Sequence, residues 1–106
     1  MRAIVLVTVC SACVSTSYTF SPTSKRTTPR ESGCEFNVLS ASPDEEFVEI
    51  RTLKHYNGDV PTREPDFRKV IANRVCELGG HAVVATPTSA GYETATVIRY
   101  SKGYHP

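Results

Sequence analysis

Glu64-Pro65-Asp66-Phe67-Arg68-Lys69-Val70-Ile71-Ala72-Asn73-Arg74-Val75-Cys76-Glu77-Leu78-Gly79-Gly80-His81-Ala82-Val83-Val84 decides the fold. Phe67, Val70, Ile71, Val75 and Leu78 recur at three- and four-residue spacing, which predicts a helix with one apolar stripe. Arg68, Lys69, Asn73, Arg74 and Glu77 fall elsewhere on it. Thr62 or Glu64 can open this helix, and Pro65 is tolerated in a first turn where its missing N–H is not needed. Glu64 and Asp66 suit the positive end of the helix dipole. Gly79-Gly80 stops it, because glycine accepts the left-handed conformation that closes a last turn.

Strands are expected on both sides. Downstream, His81 to Thr86 is a compact, mostly apolar strand, Pro87 to Gly91 a loop, and Tyr92 to Tyr100 a long final strand. Upstream, Glu35 to Leu39 is a short strand with Phe36 and Val38 on one face, followed by turn residues from Ser40 to Asp44. Phe47 to Tyr56 is a second strand with imperfect alternation: Val48, Ile50, Thr52 and Lys54 face one way, Phe47, Glu49, Arg51, Leu53 and His55 the other. Asn57-Gly58-Asp59 then turns the chain toward the helix. The order strand-strand-helix-strand-strand predicts one α+β domain over 34–106, a four-stranded sheet with the helix on one face.

Two segments precede this domain. Val14 to Gly33 is half Ser and Thr, contains Pro22 and Pro29, and shows no apolar periodicity, so 13–33 reads as a tether. Its large apolar residues, Tyr18 and Phe20, are expected to do nothing specific. Residues 1–12 carry Arg2, the apolar run Ala3 to Val9, and Cys10-Ser11-Ala12 ahead of Cys13. That run is far short of the ~20 residues needed to span a bilayer. The layout resembles a bacterial lipoprotein signal, in which the cysteine is acylated and becomes the mature first residue. The resemblance implies a lipid anchor on Cys13, and Val14 in place of Asp implies the outer membrane. Ordinary secretory cleavage after Ala12 is the other reading, because Cys10 and Ala12 are both small.

With Cys10 removed and Cys13 acylated, Cys34 and Cys76 remain. In an exported domain two cysteines read most simply as one disulfide. Two buried free thiols are the alternative. Their separation lacks the close spacing of a zinc site.

Removal of Arg2 leaves equal numbers of basic and acidic residues, 11 each, with 8 basic and 10 acidic from Cys34 onward. No concentrated basic face capable of neutralising several phosphates is present, which argues against nucleic acid. His55, His81 and His105 have no Cys, Asp or Glu at metal-ligand spacing, so neither metal nor cofactor is expected. His81, at a helix-to-strand junction, is expected to bond local backbone. No Ser sits in a Gly-x-Ser-x-Gly elbow, and Gly79-Gly80 follows a helix rather than preceding one as a phosphate loop does. Enzymatic activity is therefore not expected. The loops Ala41–Glu46 and Thr86–Tyr92 and the rings of Tyr92, Tyr100 and Tyr104 are the candidate binding surfaces, with Tyr92 and Tyr100 expected to be buried against the helix.

The run GDVPTREPDFRKVIANRVCELGGHAVV resembles the core of RcsF-type outer-membrane lipoproteins, which join a Pro-Thr helix start and an amphipathic helix to an Ala-Val-rich strand. Val75 to Val84 is also similar to the ACELGADAVV signature of small exported lipoproteins. The resemblance covers Gly58 to Tyr100, about 40% of the chain. It implies a periplasm-facing module that senses envelope damage by docking on membrane-protein partners. Members carry two disulfides in this domain; this chain offers Cys34 and Cys76 for one. A non-catalytic, lipid-anchored binding or stress-sensing module is thus the leading expectation. The competitor is an exported small-ligand or metal-binding domain released after ordinary cleavage.

Overall fold

The structure is a computed structural model that describes residues 16–21 and 27–103. Cys13, the signal residues 1–12, Tyr104 and His105 lie outside the described residues. Among the described residues the fold is α+β, with one helix, α1 (Glu64–Glu77), and five strands: β1 (Ser17–Phe20), β2 (Asn37–Leu39), β3 (Phe47–Asn57), β4 (Ala82–Val84) and β5 (Thr94–Tyr100). The sheet runs β1-β3-β5-β4-β2. All neighbours are antiparallel except β2 and β4, which are parallel.

The fifth strand comes from the stretch read as a tether. Ser17-Tyr18-Thr19-Phe20 alternates polar and apolar, and it pairs with the end of β3, Tyr18 opposite His55 and Phe20 opposite Leu53. Both aromatic rings turn toward the helix. Tyr18 meets Phe67 edge to face with centroids 5.6 Å apart, and the Arg74 guanidinium lies 5.3 Å from the centre of the Phe20 ring.

Helix α1 covers one face of the sheet. Phe67, Ile71 and Val75 are at most 1% exposed and pack on Ile50, Leu53, Val83, Ala95 and Val97. Each such fully buried side chain contributes about 1.5–3 kcal/mol. Val70, counted in the stripe from its spacing, is 39% exposed: the buried line is narrower and runs Phe67-Ile71-Val75-Leu78. The helix begins at Glu64 without a side-chain cap, and Thr62 does not serve as one. It ends in a Schellman motif, with Gly80 N–H donating to Val75 C=O at 2.9 Å and Gly79 N–H to Cys76 C=O at 3.0 Å. Gly79 sits at φ +81°.

The imperfect alternation of β3 has a local cause. The pairing register shifts between Glu49 and Arg51, a bulge that brings Ile50 and Leu53 into the same core although they are three residues apart. Val48, expected to share a face with Ile50, is 40% exposed.

A second cluster forms on the face away from the helix. Ala82 pairs with Ile98 while Val83 pairs with Val97, so Ala82 and Ile98 point opposite to the helix-facing valines. Tyr100 joins them, with Leu39, Phe47 and Val84 packed alongside. Tyr92 and Tyr100, expected together against the helix, are therefore separated: Tyr92 lies in the helix-side core and Tyr100 in this one. The chain leaves edge strand β2 at Leu39 and rejoins the sheet in β3 at Phe47, past β4 and β5.

Candidate functional site

Cys34 precedes β2 and Cys76 lies in the last turn of α1. Their sulfurs are 2.00 Å apart and their α-carbons 5.8 Å apart, so the two residues stand as a disulfide pair. Cys76 is 1% exposed and Cys34 is half-buried. The bridge ties the entrance of the sheet's edge strand to the carboxyl end of the helix.

Sequence reasoning missed what surrounds the bridge. The turn that closes the helix is covered by residues 27–30 of the stretch read as a tether: Arg30 N–H is a second donor to Cys76 C=O at 2.7 Å, the Arg30 guanidinium donates to Gly80 C=O at 2.7 Å, and the Thr27 hydroxyl to Leu78 C=O. From β5, the Arg99 guanidinium donates to Gly79 C=O at 2.6 Å. Two cations at the negative end of a helix are favourable. Thr27 to Arg30 is thus docked on the domain, a second departure from a free tether over 13–33. No periodic signal in TTPR announces this contact.

Three open grooves include one of the bridged cysteines in their lining. One of about 550 Å³ is lined by Arg30, Glu31, Gly33, Cys34 and Glu35. A second, of about 300 Å³, runs along Pro29, Arg30, Ser32, Asn73, Cys76 and Glu77. A third includes Phe36, Arg68 and Ala72. In that lining Arg68 is paired with Glu64 at 2.7 Å and donates to Phe36 C=O, with its guanidinium 5.2 Å from the Phe36 ring centre. The lining mixes both charge signs with one aromatic face, chemistry suited to a polypeptide surface.

The histidines do not converge. His81 is 5% exposed, its Nδ1 accepts the Tyr100 N–H at 2.9 Å, and its ring stacks on Tyr100 at 5.9 Å. The expected bond to local backbone is replaced by one across the sheet: the donor is on β5, 19 residues away in the chain. His55 sits across the sheet against the edge of Tyr18, ring centres 5.6 Å apart, with Nε2 buried and unbonded among the described residues. Among the described residues no three His, Cys, Asp or Glu side chains group to hold a metal ion. No described helix is long and apolar enough to cross a membrane.

At the other end of the helix lies an aromatic stack. Phe67 and Tyr92 are parallel with centroids 4.4 Å apart, and the Tyr18 hydroxyl donates to Tyr92 C=O. Burial raises the Tyr18 phenol to a pKa of about 12. Of the candidate binding loops, Thr86 to Ala90 is exposed and closed by a Thr88–Gly91 bridge, and Ala41 to Glu46 is exposed apart from half-buried Pro43. Comparison with protein-family models, with curated proteins and with solved structures gives no match for this chain.

Proposed function

We propose that this chain is an exported, non-catalytic module anchored by an acylated Cys13 to the outer membrane, facing the periplasm and docking on an envelope protein partner. The supporting observation is the Cys34–Cys76 pair, which is positioned as a disulfide in a domain of this size. Such bridges persist in oxidising compartments outside the cytoplasm. The anchor itself rests on the layout of residues 1–13, and the docking role on the motif resemblance over Gly58–Tyr100. The mixed grooves around the bridge offer the partner a surface.

Intact mass of the protein recovered from cell envelopes tests the reading, with fractionation of Cys13→Ser beside it. A chain beginning at Cys13 and carrying acyl mass, with Cys13→Ser lost from the membrane fraction or left unprocessed, is expected. A mass without lipid and unchanged fractionation overturns the anchor, and a free Cys13 at the amino terminus identifies ordinary secretion instead. Cross-linking in whole envelopes then asks for the partner.

A further inference from the structure

The position of β1 fixes which end of the domain an anchor at Cys13 would press against lipid. A 20-residue free tether would let the domain tumble at any angle. The structure leaves no such freedom, because the chain is already paired into the sheet at Ser17, opposite Asn57. One residue earlier, the Thr16 hydroxyl donates to Asp59 C=O at 2.9 Å. Three residue steps therefore lead from Cys13 to Thr16, a fixed point on the domain, a reach of at most about 11 Å between α-carbons. The headgroup layer of one leaflet is about 5–8 Å thick. Little of that reach is left to hold the domain clear of the surface.

Strand pairing identifies the end concerned. The start of β1, the end of β3, the start of β5 and the end of β4 all lie there, since each is antiparallel to its neighbour. The turn Asn57–Asp59 and the Thr88–Gly91 loop close it, and Tyr92 N–H bonds to Pro61 C=O at 2.9 Å, drawing the helix entrance to the same place. Tyr56, 71% exposed, is the largest exposed ring among the described residues and stands beside Asn57. Tyrosine prefers the membrane–water interface, where its ring is in apolar surroundings and its hydroxyl stays wet. The charges at this end are mixed, Lys54 and Arg63 against Asp59, Glu64 and Glu93. Contact there depends on the anchor and on Tyr56 rather than on attraction to anionic lipid.

We infer that the Tyr56–Asp59 end of the sheet is a lipid-contacting surface, seating the domain end-on so that the disulfide grooves point away from the membrane. This rests on the acylation of Cys13 proposed above. The far end is well separated: β3 alone spans 11 residues, about 33 Å of strand.

The chain contains no tryptophan, so a single introduced one reports its own surroundings. Tyr56→Trp and, at the opposite end, Lys102→Trp are purified from membranes of cells expressing the whole chain, weighed intact, and placed in vesicles whose lipids carry bromine high on the acyl chain. End-on seating predicts that Trp at 56 loses most of its emission and Trp at 102 keeps it, with no change on adding salt. Acyl mass with equal quenching at both positions, or with neither quenched, overturns the seating and leaves the anchor standing. Absence of acyl mass overturns both, and the mass measurement tells the two failures apart.

Discussion

The Tyr18 hydroxyl donates a hydrogen bond to the carbonyl of Tyr92, joining the first strand of the sheet to the residue that stacks on Phe67 of the helix. One bond and one stack thus connect a segment of Ser/Thr-rich composition to the centre of the core. The contact makes β1 part of the folding unit.

Removing that bond leaves the Tyr92 carbonyl without its partner in a half-dry site. Tyr18→Phe is expected to cost about 1–3 kcal/mol in urea unfolding. It also removes a titration. Burial raises Tyr18 to about 12 in the folded protein, from 10.0 for an ordinary phenol. The folded state therefore holds its proton over a range where the unfolded chain has released it. The stabilisation is complete below pH 10 and declines as pH rises from 10 toward 12. Wild type should lose stability across that window more steeply than Tyr18→Phe. Parallel pH profiles for the two proteins would show that the phenol is not buried in solution.

The narrowed stripe on α1 separates two neighbouring substitutions. Ile71 is 1% exposed and Val70 is 39% exposed. Ile71→Asp buries an unpartnered carboxylate and should cost about 4 kcal/mol or more, enough to unfold a marginal domain. Val70→Asp places the same group at the solvent edge and should cost less than about 1 kcal/mol. Equal melting temperatures for the two variants would contradict the helix orientation.

How much of this was legible in the sequence follows from the range of each signal. The helix was readable because Phe67, Ile71, Val75 and the Gly79-Gly80 stop all lie within one short window. The cysteine pair was readable because few partners existed once Cys10 and Cys13 were assigned elsewhere. Strand β1 was hidden: its alternation spans only Ser17 to Phe20, and the Ser/Thr/Pro composition around it outweighed two aromatic residues. The bulge in β3 was visible only as broken alternation, since its cause is the register against β5. The parallel pairing of β2 with β4, and the docking of Thr27 and Arg30 on the helix end, are long-range contacts with no local pattern to betray them.

Two glycines test that docking. Gly33 and Gly79 both adopt φ +81°, but a β-carbon at Gly33 meets nothing within 4 Å, whereas at Gly79 it lies 2.3 Å from the Thr28 carbonyl oxygen. Gly33→Ala should cost only the left-handed strain of about 1–2 kcal/mol. Gly79→Ala adds a backbone clash and should cost about 1–3 kcal/mol more. Equal costs in urea unfolding would mean that the 27–30 segment does not lie against the helix end.

The Cys34–Cys76 bridge makes both a global and a local prediction. It closes a loop with a sequence separation of 42, for which the chain-entropy account gives about 4 kcal/mol. A domain this small seldom draws more than about 3–5 kcal/mol from its core. Reduction, or Cys34→Ala with Cys76→Ala, should therefore bring the folded state close to its limit and lower the urea midpoint sharply. Locally, the bridge holds the chain between Arg30 and Cys34 against the last turn of the helix, where Arg30 N–H donates to Cys76 C=O at 2.7 Å. Hydrogen exchange on whatever folded fraction survives should show protection lost first at Arg30, while the Ile71 and Val75 amides exchange only with global unfolding. An unchanged midpoint after reduction would remove the bridge from the stability of this domain. Uniform loss of protection along helix and strap would show that Thr27–Arg30 and the helix open as one unit.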